Sequence, residues 1–412
     1  MRRFFSRDQQ GMTHTIVVGA GIAGLWIANR LAQAGERVTV LEAYGKPGGR
    51  VLTSRHGYEL GAGRIHASHR RVHTLLRRYR LHTVPLGTSL NWHPVGEPSR
   101  PNTFDAEWAA VCGALRRLRP ELLATHTLRQ LAEAVLGKVR ATSLLEQYPY
   151  RAEIDRLRAD VGLQAFEHEM KSHRGFTIVH EGLSAMIDGL VRDLRAAGGL
   201  LRLNTKVVDV EHAGSDRYRV RLERGAPLTA DRVILALHAT ALRSLPVTTN
   251  MPALDHLVMA PLIRIYAQYP GGWRYPREVT DSPLRYVIPV DPAKGIVMIS
   301  YTDDRDTKRW SGLSGEELVA AIQPEVRRLY GRHLPDPEWV RAAEWHEGAT
   351  YWRPGCYSPA RMSRAALQPR GDMPGLFCCG ESFSPTQQAW MEGALAHAEL
   401  LWELLERRGR QH

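Results

Sequence analysis

Two short apolar runs near the start of the chain frame a stretch with helical periodicity. Residues 16–18 form the first run, and the apolar positions after it recur at the spacing of a helix that ends at Gly35. The second run, residues 38–41, leads directly to Glu42. The pattern predicts a strand, a helix and a strand in succession, which is the unit of an α/β fold.

Three glycines occupy the turn between the first strand and the helix, in the spacing G-x-G-x-x-G. Gly19 permits a tight turn, Gly21 lets a pyrophosphate approach the backbone, and Gly24 lets the helix pack closely on the strand. The helix N-terminus faces the phosphates. Glu42, about 20 residues further on, can accept hydrogen bonds from both hydroxyls of an adenosine ribose. We therefore predict a dinucleotide site at this turn.

The residues after the second strand carry a resemblance to a known family. Gly48 and Gly49 form a flexible turn that can bring the Arg50 guanidinium onto the same pyrophosphate. This arrangement resembles the flavin-containing amine oxidase family, whose members have Gly-Gly-Arg here. The resemblance extends to further motifs, which are ELGAGR at 59–64, Val207, VILALHAT at 233–240, Gly380-Glu381 and WMEGA at 390–394.

The resemblance implies an α/β fold in which two domains are interleaved. One would be an FAD-binding, Rossmann-like domain of the glutathione-reductase type, and the other an α+β substrate-binding domain with strands at 263–269 and 295–301. The FAD domain would comprise residues 14–88, 175–246 and 350–412, and the substrate domain residues 89–174 and 247–349. Residues 1–13 are predicted to be a flexible basic arm.

The resemblance also implies noncovalent FAD, because Glu347 stands where monoamine oxidases have the cysteine that links the flavin. The residues implied to contact FAD lie in the matching motifs. They are Gly19, Ala20, Gly21, Ile22, Ala23, Gly24, Glu42, Ala43, Gly49, Arg50, Gly61, Ala62, Gly63, Arg64, Val207, Gly380, Glu381, Trp390 and Met391.

Arg64 is the most informative candidate for substrate binding. L-Amino-acid oxidases of the family have an arginine that pairs with the substrate carboxylate, whereas monoamine and polyamine oxidases commonly have an uncharged residue near this place. A planar guanidinium suits bidentate binding of a carboxylate. The alternative is that Arg64 contacts only the flavin, or is one more arginine of a basic chain.

Three further residues complete the predicted catalytic set. Tyr301 matches a tyrosine that helps to hold the carboxylate in a tryptophan oxidase of the family, although a core tyrosine is an equal alternative. Trp390 matches the aromatic residue against the flavin, and Gly348 lies where monoamine oxidases have a second one. Arg264 replaces a lysine that holds a water near the flavin, and arginine stays protonated and cannot act as a base.

The net charge of +12 raises the question of nucleic-acid binding. The arginines are spread over predicted helices, for example at 70–80, 116–119 and 151–158, and do not form one tract. The pattern favours a solvated basic surface, with weak attraction of polyanions or anionic substrates as the alternative. Nucleic acid is therefore not expected as a partner.

Four cysteines, including the adjacent Cys378 and Cys379, do not make a disulfide framework in a chain of 412 residues. They are predicted to be small buried apolar side chains in a reducing, cytoplasmic compartment. The sequence shows no spanning helix, and residues 1–13 lack the apolar core of a secretory signal.

The predicted function is oxidative deamination of an L-amino acid to an imino or 2-oxo acid, with O2 reduced to H2O2. Alternatives are a primary-amine or polyamine oxidase, a flavin desaturase, and a basic flavoprotein with a binding role. A homodimer is considered, but no membrane partner and no metal are expected. His66, His69 and His73 lack a carboxylate or cysteine partner, and Ser184 lies outside a G-x-S-x-G motif and is predicted to begin a helix.

Overall fold

The structure is a computed structural model that describes residues 12–87, 89–167, 175–214 and 217–410. The chain divides into two compact units, each assembled from segments that are distant in sequence. The first unit contains the chain up to Val84, Thr177–Leu257 and the chain from Tyr357, and the second contains Pro85–Phe176 and Val258–Cys356. Residues 1–11 of the predicted basic arm lie outside the described residues.

Strands and helices are numbered here along the whole chain. The strands of the first unit and its junctions are β1 (His14–Val18), β2 (Arg37–Leu41), β3 (Ile65–His66), β4 (Thr83–Pro85), β7 (Phe176–Val179), β8 (Leu200–Arg202), β9 (Val207–His212), β10 (Tyr218–Leu222), β11 (Leu228–Ala230), β12 (Arg232–Leu235) and β18 (Leu376–Cys378). Its helices are α1 (Ile22–Gln33), α2 (Arg70–Arg78), α9 (Ser184–Ala196), α10 (Ala239–Arg243), α11 (Pro252–Asp255), α13 (Pro359–Ala366) and α14 (Met391–Gly409).

A parallel sheet in the order β18-β12-β1-β2-β8 is the largest sheet of the first unit. Val17 of β1 lies beside Val40 of β2 on one side and Ile234 of β12 on the other. The predicted succession of strand, helix and strand is thus confirmed by β1, α1 and β2. A second sheet, β11-β10-β9, is antiparallel.

The hydrophobic core of the first unit lies between the parallel sheet and helices α1, α9 and α14. Leu25 of α1, Met186 of α9 and Leu401 of α14 are completely buried, together with Val17 and Val40 of the sheet. Burying a side chain of this size stabilises the fold by about 1.5 to 3 kcal/mol. This packing fixes α1 on the sheet, and with it the glycine turn that precedes the helix.

The second unit combines helices with a long mixed sheet. Its helices are α3 (Phe104–Leu115), α4 (Pro120–Thr125), α5 (Leu128–Leu136), α6 (Lys138–Glu146), α7 (Arg151–Asp155), α8 (Ala159–Ala165) and α12 (Gly315–Tyr330). Its strands are β5 (Asn91–Trp92), β6 (Arg100–Pro101), β13 (Leu257–Gln268), β14 (Glu278–Val279), β15 (Tyr286–Asp291), β16 (Ile296–Asp303) and β17 (Trp339–Trp352).

The sheet of the second unit has the order β17-β13-β16-β15-β14-β5-β6. The strands expected at 263–269 and 295–301 are present as β13 and β16, and they pair antiparallel. One face of this sheet packs on α12, where Ile299, Trp310 and Ile322 are buried together. Each of these two paired strands carries a candidate catalytic residue, Arg264 on β13 and Tyr301 on β16.

Several arginines are buried, contrary to expectation. Arg151 pairs with Glu146 at 2.9 Å and with Asp306 at 3.0 Å, and Arg158 pairs with Asp160 at 2.6 Å. These two arginines are only 5% and 2% exposed. The prediction of a solvated basic surface is therefore wrong for them, because a buried guanidinium requires a carboxylate partner and these have one.

Three of the four cysteines are buried as predicted, and Cys378 and Cys379 are completely buried and free of disulfides. The prediction is wrong for Cys356, which is exposed because it lies in the bend between β17 and α13. Ser184 begins α9, as predicted. None of the helices in the described part of the chain has the length and apolarity that a membrane crossing requires.

Candidate functional site

The glycines of the first turn differ in whether their positions leave room for a Cβ atom. Gly19 has φ +103°, and a Cβ there would lie 2.5 Å from the Ala236 carbonyl oxygen. A Cβ at Gly24 would lie 2.0 Å from the Gly19 oxygen, whereas a Cβ at Gly21 would meet nothing within 4 Å. The protein itself therefore requires Gly19 and Gly24, and Gly21 leaves open space at the start of α1.

The start of α1 offers backbone donors to that space. Gly21 is the N-cap residue and gives the helix no side-chain cap, and the first turn carries no acidic side chain. The first N–H groups of a helix have no partner within the helix, and they attract anions. The open space at Gly21 thus has the properties that a phosphate group requires.

Glu42 is held rigidly at the carboxyl end of β2. Its side chain is 7% exposed, and its two oxygens accept hydrogen bonds from the backbone N–H of Ala20 at 2.8 Å and of Tyr44 at 3.0 Å. A carboxylate has about four acceptor positions, so two are left for other donors. The carboxylate is therefore oriented beside the glycine turn while it keeps capacity for ribose hydroxyls.

Arg50 and Glu381 meet beside the same turn, although 331 residues separate them. Arg50 Nη2 donates to Glu381 Oε2 at 2.7 Å. The preceding glycines reach the fingerprint, since Gly48 forms a bridge with Gly21, and a Cβ at Gly49 would lie 3.6 Å from the Gly21 Cα. The structure thus brings together three of the motifs on which the predicted flavin site depends.

The loop that carries Arg64 is anchored to Arg50. The backbone N–H of Ala62 donates to the Arg50 carbonyl oxygen at 2.8 Å. Arg64 is partly exposed and stands immediately before β3. The predicted carboxylate-binding arginine therefore lies on a loop tied to the Gly-Gly-Arg motif, within the same unit.

Glu381 also fixes the backbone of Ala389, the residue that precedes Trp390. Its Oε1 accepts a hydrogen bond from the Ala389 N–H at 2.6 Å. Ala389 has φ 65°, a left-handed conformation that is uncommon for residues other than glycine. Trp390, which is partly exposed, then precedes α14, and the ring of His69 contacts its indole at 5.0 Å with an interplanar angle of 62°.

His397 holds the turn from which Glu381 starts. Gly380, with φ +146°, donates its N–H to His397 Nδ1 at 3.3 Å, and His397 Nε2 bonds to the Ser363 carbonyl oxygen at 3.0 Å. Burial lowers the pKa of His397 to about 4. The imidazole is therefore neutral, with its proton on Nε2.

The two remaining candidates lie together in the second unit. Arg264 of β13 and Tyr301 of β16 are direct cross-strand partners, and the guanidinium lies 5.6 Å from the centre of the tyrosine ring. Both side chains are 8% exposed. The ring of Tyr150 meets Tyr301 edge-on at 5.4 Å. Gly348 has a packing reason of its own, because a Cβ there would lie 2.7 Å from the Leu262 Cβ.

Comparison with known proteins decides the family. The sequence profile of the flavin containing amine oxidoreductases matches residues 22–400. The chain belongs to this family. It is 49% identical over 390 residues to an L-amino-acid oxidase of Siganus canaliculatus, an alignment that covers 78% of this chain and 71% of that protein.

Two relatives of lower identity are longer than the chain. An L-amino-acid oxidase of Mus musculus is 26% identical over 379 residues, covering 77% of this chain and 58% of the relative. L-amino acid oxidase Lm29 of Lachesis muta is 26% identical over 281 residues, covering 58% and 53%. The chain thus spans little more than half the length of these two proteins.

Membership of the flavin amine oxidoreductase family implies a flavin cofactor, and the residues of the first turn fit a dinucleotide. Gly21 leaves space, α1 presents uncapped N–H groups, and Glu42 keeps acceptor capacity. Elsewhere in the first unit, a cavity of about 260 Å³ opens between α1, α2, α9 and α14. Its walls, which include Asn29 and Asp193, contain none of the predicted site residues of this family member.

Three residues beside the candidate site were not predicted from the sequence, namely His69, Glu392 and His397. Each is almost completely buried, at 0%, 2% and 0% exposure. The available signal was a polar side chain on the apolar face of a predicted helix or directly before one. The sequence pattern suggests for His69 only a role as a metal ligand, which is not expected. In the structure its ring lies against Trp390.

Proposed function

We propose that the protein oxidises L-amino acids with noncovalently bound FAD. The α-amino group would become an imine that hydrolyses to a 2-oxo acid, with O2 reduced to H2O2. The observation that carries the proposal is Arg64, a cationic residue on a loop anchored to Arg50. It stands in a family member with a relative named L-amino-acid oxidase at 49% identity.

The cofactor would be held by the first unit. Glu42 would accept hydrogen bonds from the ribose hydroxyls, and Arg50 and the start of α1 would face the pyrophosphate. Glu347 at the position of the linking cysteine supports noncovalent binding. The proposed FAD domain therefore corresponds to residues 14–88, 175–246 and 350–412, and the proposed substrate domain to residues 89–174 and 247–349. When bound, the flavin supplies an acceptor for the hydride equivalent that leaves the substrate α-carbon.

The substrate would be bound by its carboxylate. The Arg64 guanidinium would form a bidentate ion pair with it, and Tyr301 stays a candidate residue for substrate binding. Trp390 would exclude water from the reacting amine, which must be in its neutral form. Arg264 cannot accept a proton, so we assign it the role of fixing the Tyr301 ring through their cation–π contact.

The test compares each L-amino acid with its decarboxylated analogue, using FAD-loaded protein and peroxide release. Bound substrate would cover the Arg64 guanidinium, so an analogue would forgo the ion pair with the carboxylate, at a cost of about 2 to 5 kcal/mol, or tens to thousands of fold in kcat/KM. Arg64→Met should erase most of this preference. Arg55→Met, a change at an exposed arginine nearby, is the matched control and should keep it.

Two results would contradict the proposal. The first is a wild-type protein that prefers amines, and the second is an Arg64→Met variant that retains the preference for amino acids. In either case a primary-amine or polyamine oxidase becomes the better explanation. Bleaching of the flavin by substrate without oxygen would separate the amine chemistry from the identity of the electron acceptor, because it does not require O2.

A further inference from the structure

The N-termini of helices α2 and α14 are joined by reciprocal contacts. His69, which precedes α2, packs its ring on Trp390, which precedes α14. Glu392, in the first turn of α14, accepts hydrogen bonds from the backbone N–H groups of Arg71 and Val72 at 3.0 to 3.1 Å. We call these five residues the α2–α14 junction.

Glu392 caps the N-terminus of α2 in place of the N-cap residue His69. His69, the N-cap residue of α2, makes no side-chain cap bond to the helix. The Glu392 carboxylate, 2% exposed, binds the first-turn N–H groups instead and also pairs with the Arg71 guanidinium at 3.1 Å. Because a carboxylate at a helix N-terminus satisfies free donors and opposes the helix dipole, this contact sets the spacing of the two helices.

His69 connects the junction to the loop of Arg64. Its Nδ1 accepts a hydrogen bond from the His66 N–H at 3.2 Å, and His66 lies on β3, two residues after Arg64. The imidazole is completely buried, so the ring cannot turn away from the indole without leaving a void. One side chain therefore contacts Trp390 and also holds the strand that follows Arg64.

We propose that His69 is a positioning residue, which orients the Trp390 indole and the Arg64 loop relative to each other. The inference rests on the proposed function, in which Trp390 faces the flavin and Arg64 binds the substrate. A displacement of about 1 Å at a positioning group can cost on the order of 100-fold in rate. The contact of the His69 ring with Trp390, rather than the hydrogen bond of His69 to His66 alone, keeps the indole in place.

The test uses FAD-loaded protein with its best amino-acid substrate. His69→Ala removes the ring, His69→Phe keeps an aromatic edge without Nδ1, and His73→Ala is the matched control on α2, where the ring bonds to the His66 carbonyl. We expect kcat to fall about 10- to 100-fold in His69→Ala. The value should be within threefold of wild type in His73→Ala, and it should fall between wild type and His69→Ala in His69→Phe, which keeps the ring contact but loses the hydrogen bond to His66. Should His69→Ala fail to fold, His69→Leu, which fills the volume without an aromatic edge, takes its place.

A second readout does not depend on turnover. The indole N–H resonance of Trp390, assigned with Trp390→Phe, should shift in His69→Ala and stay in place in His73→Ala. A kcat of His69→Ala within threefold of wild type, an unshifted indole resonance, or a His69→Phe variant as slow as His69→Ala would overturn the inference. If the wild type oxidises no amino acid, the proposed function fails, while the resonance still decides the contact of His69 with Trp390.

Discussion

Gly21 and Gly24 form a matched pair that separates cofactor binding from folding. Both lie at the start of α1, yet an added Cβ would meet open space at Gly21 and the Gly19 carbonyl oxygen, 2.0 Å away, at Gly24. Gly21 has φ −72° and ψ 175°, which alanine adopts without strain. Gly21→Ala should therefore fold, and Gly24→Ala should not fold normally.

The magnitudes follow from these contacts. In Gly21→Ala, reduced freedom of the unfolded chain and a poorer N-cap oppose each other, so the free energy of unfolding should change by less than about 1 kcal/mol. If the pyrophosphate occupies the open space, the new methyl group clashes with it and reduces the free energy of FAD binding by about 1 to 3 kcal/mol. This loss weakens FAD binding about 5- to 150-fold. Gly24→Ala should lose about 3 kcal/mol or more of stability.

Urea unfolding of the apoproteins and titration with FAD measure both quantities. Gly113→Ala is the control, because Gly113 lies within α3 with open space around it. This variant should gain up to about 1 kcal/mol in stability and bind FAD as the wild type does. A folded Gly21→Ala protein with FAD affinity within twofold of wild type would show that the pyrophosphate does not lie there.

Three further outcomes are expected. Glu42→Ala should weaken FAD affinity tenfold or more, since hydrogen bonds to a charged group contribute about 1.5 to 3 kcal/mol, and unchanged affinity in a titration of folded apoprotein would exclude Glu42 from the site. Acid precipitation should release free FAD, and flavin in the pellet would contradict noncovalent binding. Burial lowers the pKa of His397 from 6.5 to about 4. Between these two pKa values the unfolded chain binds a proton on His397 that the folded protein does not bind. The free energy of unfolding should therefore fall by about 2 to 3 kcal/mol as the pH drops from 7.5 to 4.5. His397→Gln should lose that part of the pH dependence, and an identical profile in urea titrations would refute the assignment.

The glycine turn could be predicted from the sequence because its constraints are local. Gly19 needs a positive φ, and Gly24 packs against a residue only five positions away, so both requirements appear as a fixed spacing. Glu42 follows from the same pattern, since the end of β2 lies beside the turn in any parallel unit of this kind. Residue spacing is sufficient evidence where backbone geometry alone determines the residue.

The partners of the charged residues could not be predicted in this way. Glu381 joins Arg50 across 331 positions, and nothing in the periodicity of either segment selects one carboxylate among the others. The same holds for Arg151, whose burial depends on carboxylates from separate segments. The resemblance predicted Arg50 and Glu381 as cofactor residues, but their ion pair emerges only from the folded chain.

That ion pair changes how the basic composition should be interpreted at the cofactor site. Glu381 pairs with Arg50, and Glu42 adds a negative charge beside the turn, so these three side chains together carry no net positive charge although the chain has a net charge of +12. In the proposed cofactor site, the N–H groups and dipole of α1 and the space left by Gly21 would therefore contribute to pyrophosphate binding beside Arg50, whose charge is shared with Glu381. Fixed donors at short range are screened by salt much less than exposed charges. Cofactor affinity at the proposed site would thus depend on the geometry of this helix end, which the packing of α1 on the sheet maintains.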